Sequence, residues 1–352
     1  MRPCGNYKTS FAQDEAIFQT RFVQACLLCF FVLLLLLPFV CNRYVINFAN
    51  ITGIFVIGAI GLNILTGFTG VISLGHGAFV GIGAYATTLL TKDLNVPFLV
   101  ALPLGALITA FSGLIPGLAA LRIKGMYLAI ATLAVQVMFA FLIVETPRFT
   151  GGDLGLSVPV PTFLAVQSSS GQIHFYLLIL GIAIALTLFA RNLFRTKTGR
   201  LFVAIRDNDL ASEVLGISVG KYRLLSFWIG CFYAGLAGGL WAGHSGMISP
   251  DQFSLGLSIQ FLSIILVGGM GSILGSILGT VFVLLIPEVL AGLATEANRM
   301  FSMDLTEYFS SINNAIFGLL IIVFLLYEPL GLARIWWRIK MYFKLWPFSY
   351  RT

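Results

Sequence analysis

Nine stretches of this chain run without a charge for most of a bilayer's thickness: Phe22 to Val40, Phe48 to Thr66, Val71 to Thr91, Phe98 to Leu121, Met126 to Val144, Phe175 to Ala190, Leu224 to Gly243, Leu257 to Ile286 and Ile312 to Tyr327. Roughly 20 apolar residues in a helix cross about 30 Å of hydrocarbon, so most of these are candidate membrane spans. Hydrophobic residues make up 58% of the 352 positions and charged residues 10%, too little polar surface to cover a water-soluble globule of that size. The first run is long, follows Asp14 and Glu15 and lacks a small-x-small cleavage site, so it reads as a retained span rather than a secretory signal.

The excess of Lys and Arg, a formal charge of +7, is unevenly placed. Arg191, Arg195, Lys197, Arg200, Arg206, Lys221 and Arg223 crowd one inter-span segment, and Arg334, Arg338, Lys340, Lys344 and Arg351 the tail. Basic residues beside span ends mark the cytoplasmic side, which puts both segments and the Arg122 to Lys124 turn inside. Glu145 to Ile173 and Pro287 to Ser311 are poorer in basic residues and are expected outside. The basic segments are short, flank apolar spans and belong to no recognisable nucleic-acid module.

With the N-terminus inside, crossings one to seven place Arg122 inside, Glu145 outside, Arg191 inside and His244 outside, as the charges require. The stretch Leu257 to Ile286 must then leave and return. About 30 residues make a helix of roughly 45 Å, too long for one crossing and too short for two. Two short spans or half-helices turning around Gly268 to Gly279 resolve this. The expected fold is all-α: a polytopic membrane protein of about ten transmembrane helices or half-helices with both termini cytoplasmic.

Glycine in a helix interior costs about 1 kcal/mol relative to alanine, so its recurrence needs a cause. Gly77 and Gly81, Gly235 and Gly239, and Gly271, Gly275 and Gly279 have the four-residue spacing that lets membrane helices approach closely. Leu65-x-Gly67-x-x-Gly70 is echoed by Leu266-x-Gly268-x-x-Gly271, and paired glycine interruptions in two halves of a chain mark translocation sites in repeat-built transporters. Asn63, Thr66, Thr69, Ser73, His76, Tyr85 and Gln136 are polar groups within the early spans that must find partners or face a cavity. The Leu62 to Tyr85 stretch thus reads as two spans meeting at a Gly67 to Gly70 turn. Its His76 is the sole candidate proton carrier, or else an interhelical hydrogen-bonding group.

No catalytic constellation and no metal-ligand spacing is visible: His76, His174 and His244 are scattered, and Cys26-x-x-Cys29 has no accompanying pair. The chain also lacks a P-loop and so cannot hydrolyse ATP by that route. In Arg206 to Gly220, Asp209 could cap a short helix with Ser212 and Glu213 in its first turn. Leu210, Val214, Leu215 and Ile217 would give an apolar face, and Gly216 and Gly220 could end it.

LNILTGFTGVISLGHGAFVGIGAY from Leu62, GMYLAIATLAVQ from Gly125, TGGDLGL from Thr150, RDNDLASEVLGISVGKYRLLSF from Arg206 and AGLAGGLWA from Ala234 together resemble the bacterial branched-chain amino acid ABC permeases, from about Asn50 to the C-terminus. The tail from Glu328 looks like that of the LivM-type subunit rather than its LivH-type sister. The resemblance implies that Arg206 to Gly220 is the ATPase-coupling loop, with Arg206, Asp207, Asn208, Asp209, Glu213 and Gly216 in it. Glu213 followed by Val214 and Leu215 departs from the broader Glu-Ala-Ala signature of ABC importers.

It further implies a sister permease, two cytoplasmic P-loop ATPases that use the ATP, and a periplasmic solute-binding protein. The location is the bacterial inner membrane, and no cofactor is held by this chain. Asn63, Thr66, Gly67, Gly70, Ser73, His76, Gly77, Gly81, Tyr85, Gln136, Gly268 and Gly271 become candidate pathway or helix-packing residues. The expected organisation is a cytoplasmic segment 1–21, a permease domain 22–327 containing the cytoplasmic loop 191–223, and a basic tail 328–352. Leucine, isoleucine and valine are the expected substrates; urea or short amides, or a self-sufficient channel or ion-coupled carrier, are the alternatives.

Overall fold

The computed structural model describes residues 21–123, 125–159, 169–301, 318–319, 321–324, 326–328 and 331–345. The N-terminal segment except Arg21, together with Lys124, Asp304, Glu307 and Arg351, lies outside the described residues. In chain order the main helices are α1 (Arg21–Val40), α2 (Arg43–Leu62), α3 (His76–Lys92), α4 (Phe98–Ser112), α5 (Leu114–Ala119), α6 (Met126–Glu145), α7 (Ser169–Leu193), α8 (Lys197–Asp207), α9 (Asp209–Val214), α10 (Val219–Ser245), α11 (Leu255–Gly268), α12 (Ile273–Phe301) and α13 (Leu332–Leu345). A two-residue antiparallel pair, β1 (Leu156–Ser157) with β2 (Met247–Ile248), sets Leu156 opposite Ile248.

Seven helical segments among the described residues are long and apolar enough to cross a membrane. The apolar helix Leu28–Val40, the buried α3 and the helical residues 318–319, 321–324 and 326–327 bring the bundle to the expected ten.

Burial separates the centre of the bundle from its rim. Of the most apolar window in α2 with its extension 78% is buried, and in α10 72%, against 22% in α7 and 28% in α12. A helix apolar all round with most of its surface covered is a core helix; the others turn a broad apolar face outward, as lipid contact requires. Glycines allow the core helices to meet at their backbones. A Cβ on Gly83 of α3 would strike the backbone of Gly235 in α10, and one on Gly238 would strike the carbonyl of Val80. Gly61 of α2 lies equally tight against Tyr233 and Gly230. The glycine spacing is therefore used for close packing, with partners on several helices.

Two breaks interrupt the bundle. α2 widens into a π-helical stretch, Asn63–Phe68, and the chain then runs without helix until His76. Gly70 there has φ +74°, a conformation that favours glycine. The second break, between α11 and α12, uses Gly269 at φ +115° and Gly271 at φ +79°. The helices beside these breaks are short: α3 has 17 residues and α11 has 14. At 1.5 Å per residue α3 reaches roughly 25 Å, less than the hydrocarbon core, whereas α11 together with the 3-10 turn before it, Pro250–Gly268, has 19 residues and is long enough to cross.

Four expectations need correction. Only α11 of the late pair is short, because α12 runs 29 residues straight through Pro287. Residues 287–301 are thus helix rather than loop, and the hydroxyl of Tyr44 donates to the carboxylate of Glu288 just after the proline. Proline is tolerated in membrane helices because neighbouring groups satisfy what it frees. The cap of α9 is Asn208, whose Oδ1 accepts from the amide of Ala211 at 3.0 Å, and Asp209 is the first helical residue. Gly216 does end α9, but Gly220 lies in the first turn of α10 and ends nothing.

Candidate functional site

Asn63 joins the two breaks. It sits where α2 becomes π-helical, a geometry that often marks a functional position, and it is buried. Its Nδ2 donates to the Ser272 carbonyl at 2.9 Å and to Ser276 Oγ at 2.7 Å, while its Oδ1 accepts from the Gly271 amide at 2.8 Å. One amide side chain thereby uses donors and acceptor on a segment more than 200 residues away. Gly67 lies against Gly271, and Gly268 packs onto the backbone of Gly275 and Gly279, so the two echoed motifs are neighbours in space.

The segment between α7 and α10 reaches the same place. Arg206, in the last turn of α8, donates from Nη1 to the Gly67 carbonyl, beside Gly271. Cations suit the carbonyl end of a helix, where the backbone dipoles leave partial negative charge. The next residues form a short helix tied to the bundle. Asp209 pairs with Arg223 of α10 at 3.1 Å, and Ser212 is buried with its hydroxyl on the Asn208 carbonyl at 2.9 Å. After Val214 the Gly216 amide donates to the Glu213 carbonyl and the Ile217 amide to the Ser212 carbonyl, each at 3.0 Å. That pair of bonds is a Schellman stop, and Gly216 supplies its left-handed residue at φ +82°. So anchored, α9 leaves Leu210 at 66%, Val214 at 88% and Leu215 at 79% exposure. Asp207, Asn208 and Glu213 are exposed around them.

A second polar cluster holds the start of α3. The Gly77 amide donates to Ser258 Oγ at 2.8 Å and the Ala78 amide to Gln136 Oε1 at 2.7 Å. Ser258 also donates to Gln136 Oε1 at 3.0 Å, and Gln136 Nε2 to the Phe253 carbonyl at 2.6 Å. The Leu74 amide finds Thr132 Oγ1 at 2.9 Å. A helix start inside a bundle exposes orphan amides, and α6 and α11 supply their acceptors. His76 is 1% exposed, with Nε2 at 3.0 Å from the Gly58 carbonyl and its ring edge-on to Phe261. It is placed as an interhelical hydrogen-bonding group.

The candidate residues therefore divide. Asn63, Gly67, Gly70 and Gly271 gather with Arg206, and Gly268 sits just behind them. His76, Gly77, Gly81 and Gln136 surround the α3 start, where Gly81 is packed on Phe139 and Phe253. Tyr85 stands further along α3 between Phe139 and Phe253. The buried hydroxyls of Thr66, Ser73 and Tyr85 have no hydrogen-bond partner among the described residues. The sequence reading missed Ser258, Ser272, Ser276 and Thr132. A serine inside an apolar run was the available signal, but its target lies on another helix. Among the described residues no three His, Cys, Asp or Glu side chains gather as metal ligands.

The described residues form a polytopic bundle of apolar helices with two glycine breaks, polar clusters at those breaks and a short capped helix outside the bundle, the build of a multi-pass membrane protein. The chain belongs to the family described as branched-chain amino acid transport system permease component, whose model matches residues 44–325. It is 31% identical over 318 residues to the high-affinity branched-chain amino acid transport system permease protein LivM of Salmonella typhimurium, covering 84% of this chain and 71% of the relative. The LivM protein of Escherichia coli strain K12 is 30% identical over the same shares. The autoinducer 2 import system permease protein LsrC of Enterobacter sp. strain 638 is 32% identical over 229 residues, 62% of this chain and 63% of the relative. No solved structure gives a match.

Proposed function

We propose that this chain is a permease subunit of an ATP-driven importer of leucine, isoleucine and valine in the bacterial inner membrane. A sister permease forms the other half of the pathway, two cytoplasmic P-loop ATPases hydrolyse the ATP, and a periplasmic binding protein delivers the amino acid. This chain holds no cofactor. Residues 22–327 form the permease domain and 191–223 its cytoplasmic coupling segment, with the segment 1–21 and the tail 328–352 on the same side.

The observation that carries the reading is α9, held at both ends and presenting Leu210, Val214 and Leu215 away from the bundle. Three exposed apolar side chains on so well-anchored a helix are suited to insertion into a partner's groove. The bond from Arg206 to Gly67 then offers a route by which closure of the ATPase pair pulls on both glycine breaks. Alternating access follows when the short helices α3 and α11 tilt about those breaks. The LivM relatives extend over more of the chain than LsrC, which favours branched-chain amino acids over other solutes. Cells carrying all the partners should take up labelled leucine only while the ATPases are active; uptake persisting with an inactivated Walker lysine contradicts the proposal.

A further inference from the structure

α13 has an apolar face that the rest of the described chain covers at its first turn and leaves exposed at Trp336 and Ile339. Its sequence is LARIWWRIKMYFKL, and at 100° per residue Leu332, Ile335, Trp336, Ile339 and Tyr342 share one side. Arg338 borders that face on one flank, with Arg334 further round on the same side, and Lys340 borders it on the other. No acidic residue interrupts the helix. Leu332 packs on the core, but Trp336 is 51% and Ile339 45% exposed.

The root of the helix is fixed. Gly331, at φ +75°, sits against the backbone of Gly268 and Gly269, and Arg338 pairs with Glu328 at 3.0 Å. α13 therefore leaves the bundle beside the second glycine break, a few residues after the membrane segment that includes helical residues 326–327. Arg206 of the basic inter-span segment touches Gly271 of the same break, so α13 starts at the end of the bundle that carries that segment.

We propose that α13 is an interfacial helix that binds the anionic phospholipid headgroups of the leaflet beside the glycine breaks. Trp336 and Ile339 enter the headgroup and acyl boundary, and Arg334 and Lys340 reach phosphates on either side of them. An apolar face with basic flanks and interfacial tryptophan is the pattern that holds a helix in the plane of such a surface. Charge complementarity selects anionic lipid over a neutral one, because each basic residue near an anionic surface contributes about 1 kcal/mol, a factor of roughly five. The proposal rests on membrane insertion of the chain and not on which solute it carries.

The full-length chain, with its native cysteines replaced, would carry one nitroxide at a time at Trp336→Cys, Ile339→Cys, Trp337→Cys or Met341→Cys. It would be reconstituted in phosphatidylcholine with and without phosphatidylglycerol. The expected result in phosphatidylglycerol is preferential collision with oxygen at positions 336 and 339 and with a water-soluble nickel chelate at 337 and 341. That contrast should shrink in pure phosphatidylcholine and in Arg334→Gln with Lys340→Gln. Equal water access at all four positions, or a contrast indifferent to phosphatidylglycerol in the native-charge chain, overturns the proposal. Protection of 336 and 339 that develops only on adding ATPase subunits also overturns it and marks a protein-binding helix.

Discussion

Arg206 donates from its guanidinium to the main-chain carbonyl of Gly67, 139 residues earlier in the chain. The bond spans from the last turn of α8 to the π-helical end of α2, and Gly271 of the second break lies against the same guanidinium. A helix outside the bundle is thus in contact with both glycine breaks. Charge-assisted bonds of this kind contribute about 1.5–3 kcal/mol.

If that contact transmits motion, Arg206→Gln in the assembled importer should lower leucine uptake more than ATP hydrolysis. The ATPase subunits should still copurify, because α9 keeps its cap, its salt bridge and its stop. The ratio of leucine moved to ATP consumed is the readout; an equal fall in both would assign Arg206 to assembly instead.

Asn63→Leu removes three hydrogen bonds between the breaks. Side-chain bonds between membrane helices average about 0.6 kcal/mol, so a loss of roughly 2 kcal/mol is expected from unfolding in mixed micelles. Ser276→Ala removes one of those bonds and should cost about a third as much. A neutral Asn63→Leu would contradict the role of Asn63 as the joint.

His76 is held by the Gly58 carbonyl. His76→Gln keeps a donor near that position and should retain most of the uptake at every pH between 6 and 8 (~ the range over which an ordinary histidine titrates). His76→Leu should lower the yield of folded protein. Loss of transport in His76→Gln with folding intact would revive the proton-carrier reading.

Gly83→Ala should damage folding, since its Cβ would enter the Gly235 backbone, while Gly181→Ala on α7 meets no atom within 4 Å. The second change should be neutral or stabilise by up to about 1 kcal/mol through helix propensity. Yield of monodisperse protein in detergent separates the two.

Much of this architecture was legible because lipid imposes simple rules. Uncharged runs located the spans, and the glycine echo at Gly67 and Gly268 located both breaks. Their contact was not legible, because Asn63 announces an unmet hydrogen bond without saying that Ser272 and Ser276 meet it. Asn208 and Asp209 are both good capping residues, and only backbone geometry chose the first. Pro287 followed by Glu288 read as a span end; the hydroxyl of Tyr44, far off in sequence, holds that carboxylate while the helix continues. Exposure of Leu210, Val214 and Leu215 likewise depends on how Asp209 and Arg223 orient α9, which no local pattern contains.

The central claim is that this chain supplies half of a pathway driven by ATP hydrolysed elsewhere. The most direct measurement is labelled leucine flux into liposomes containing either the purified chain alone or the chain with its sister permease, ATPases and binding protein. The account predicts accumulation that requires ATP and the complete set, and no flux through the chain alone. Leucine flux through the isolated chain, or accumulation by the complete set without ATP, would contradict it.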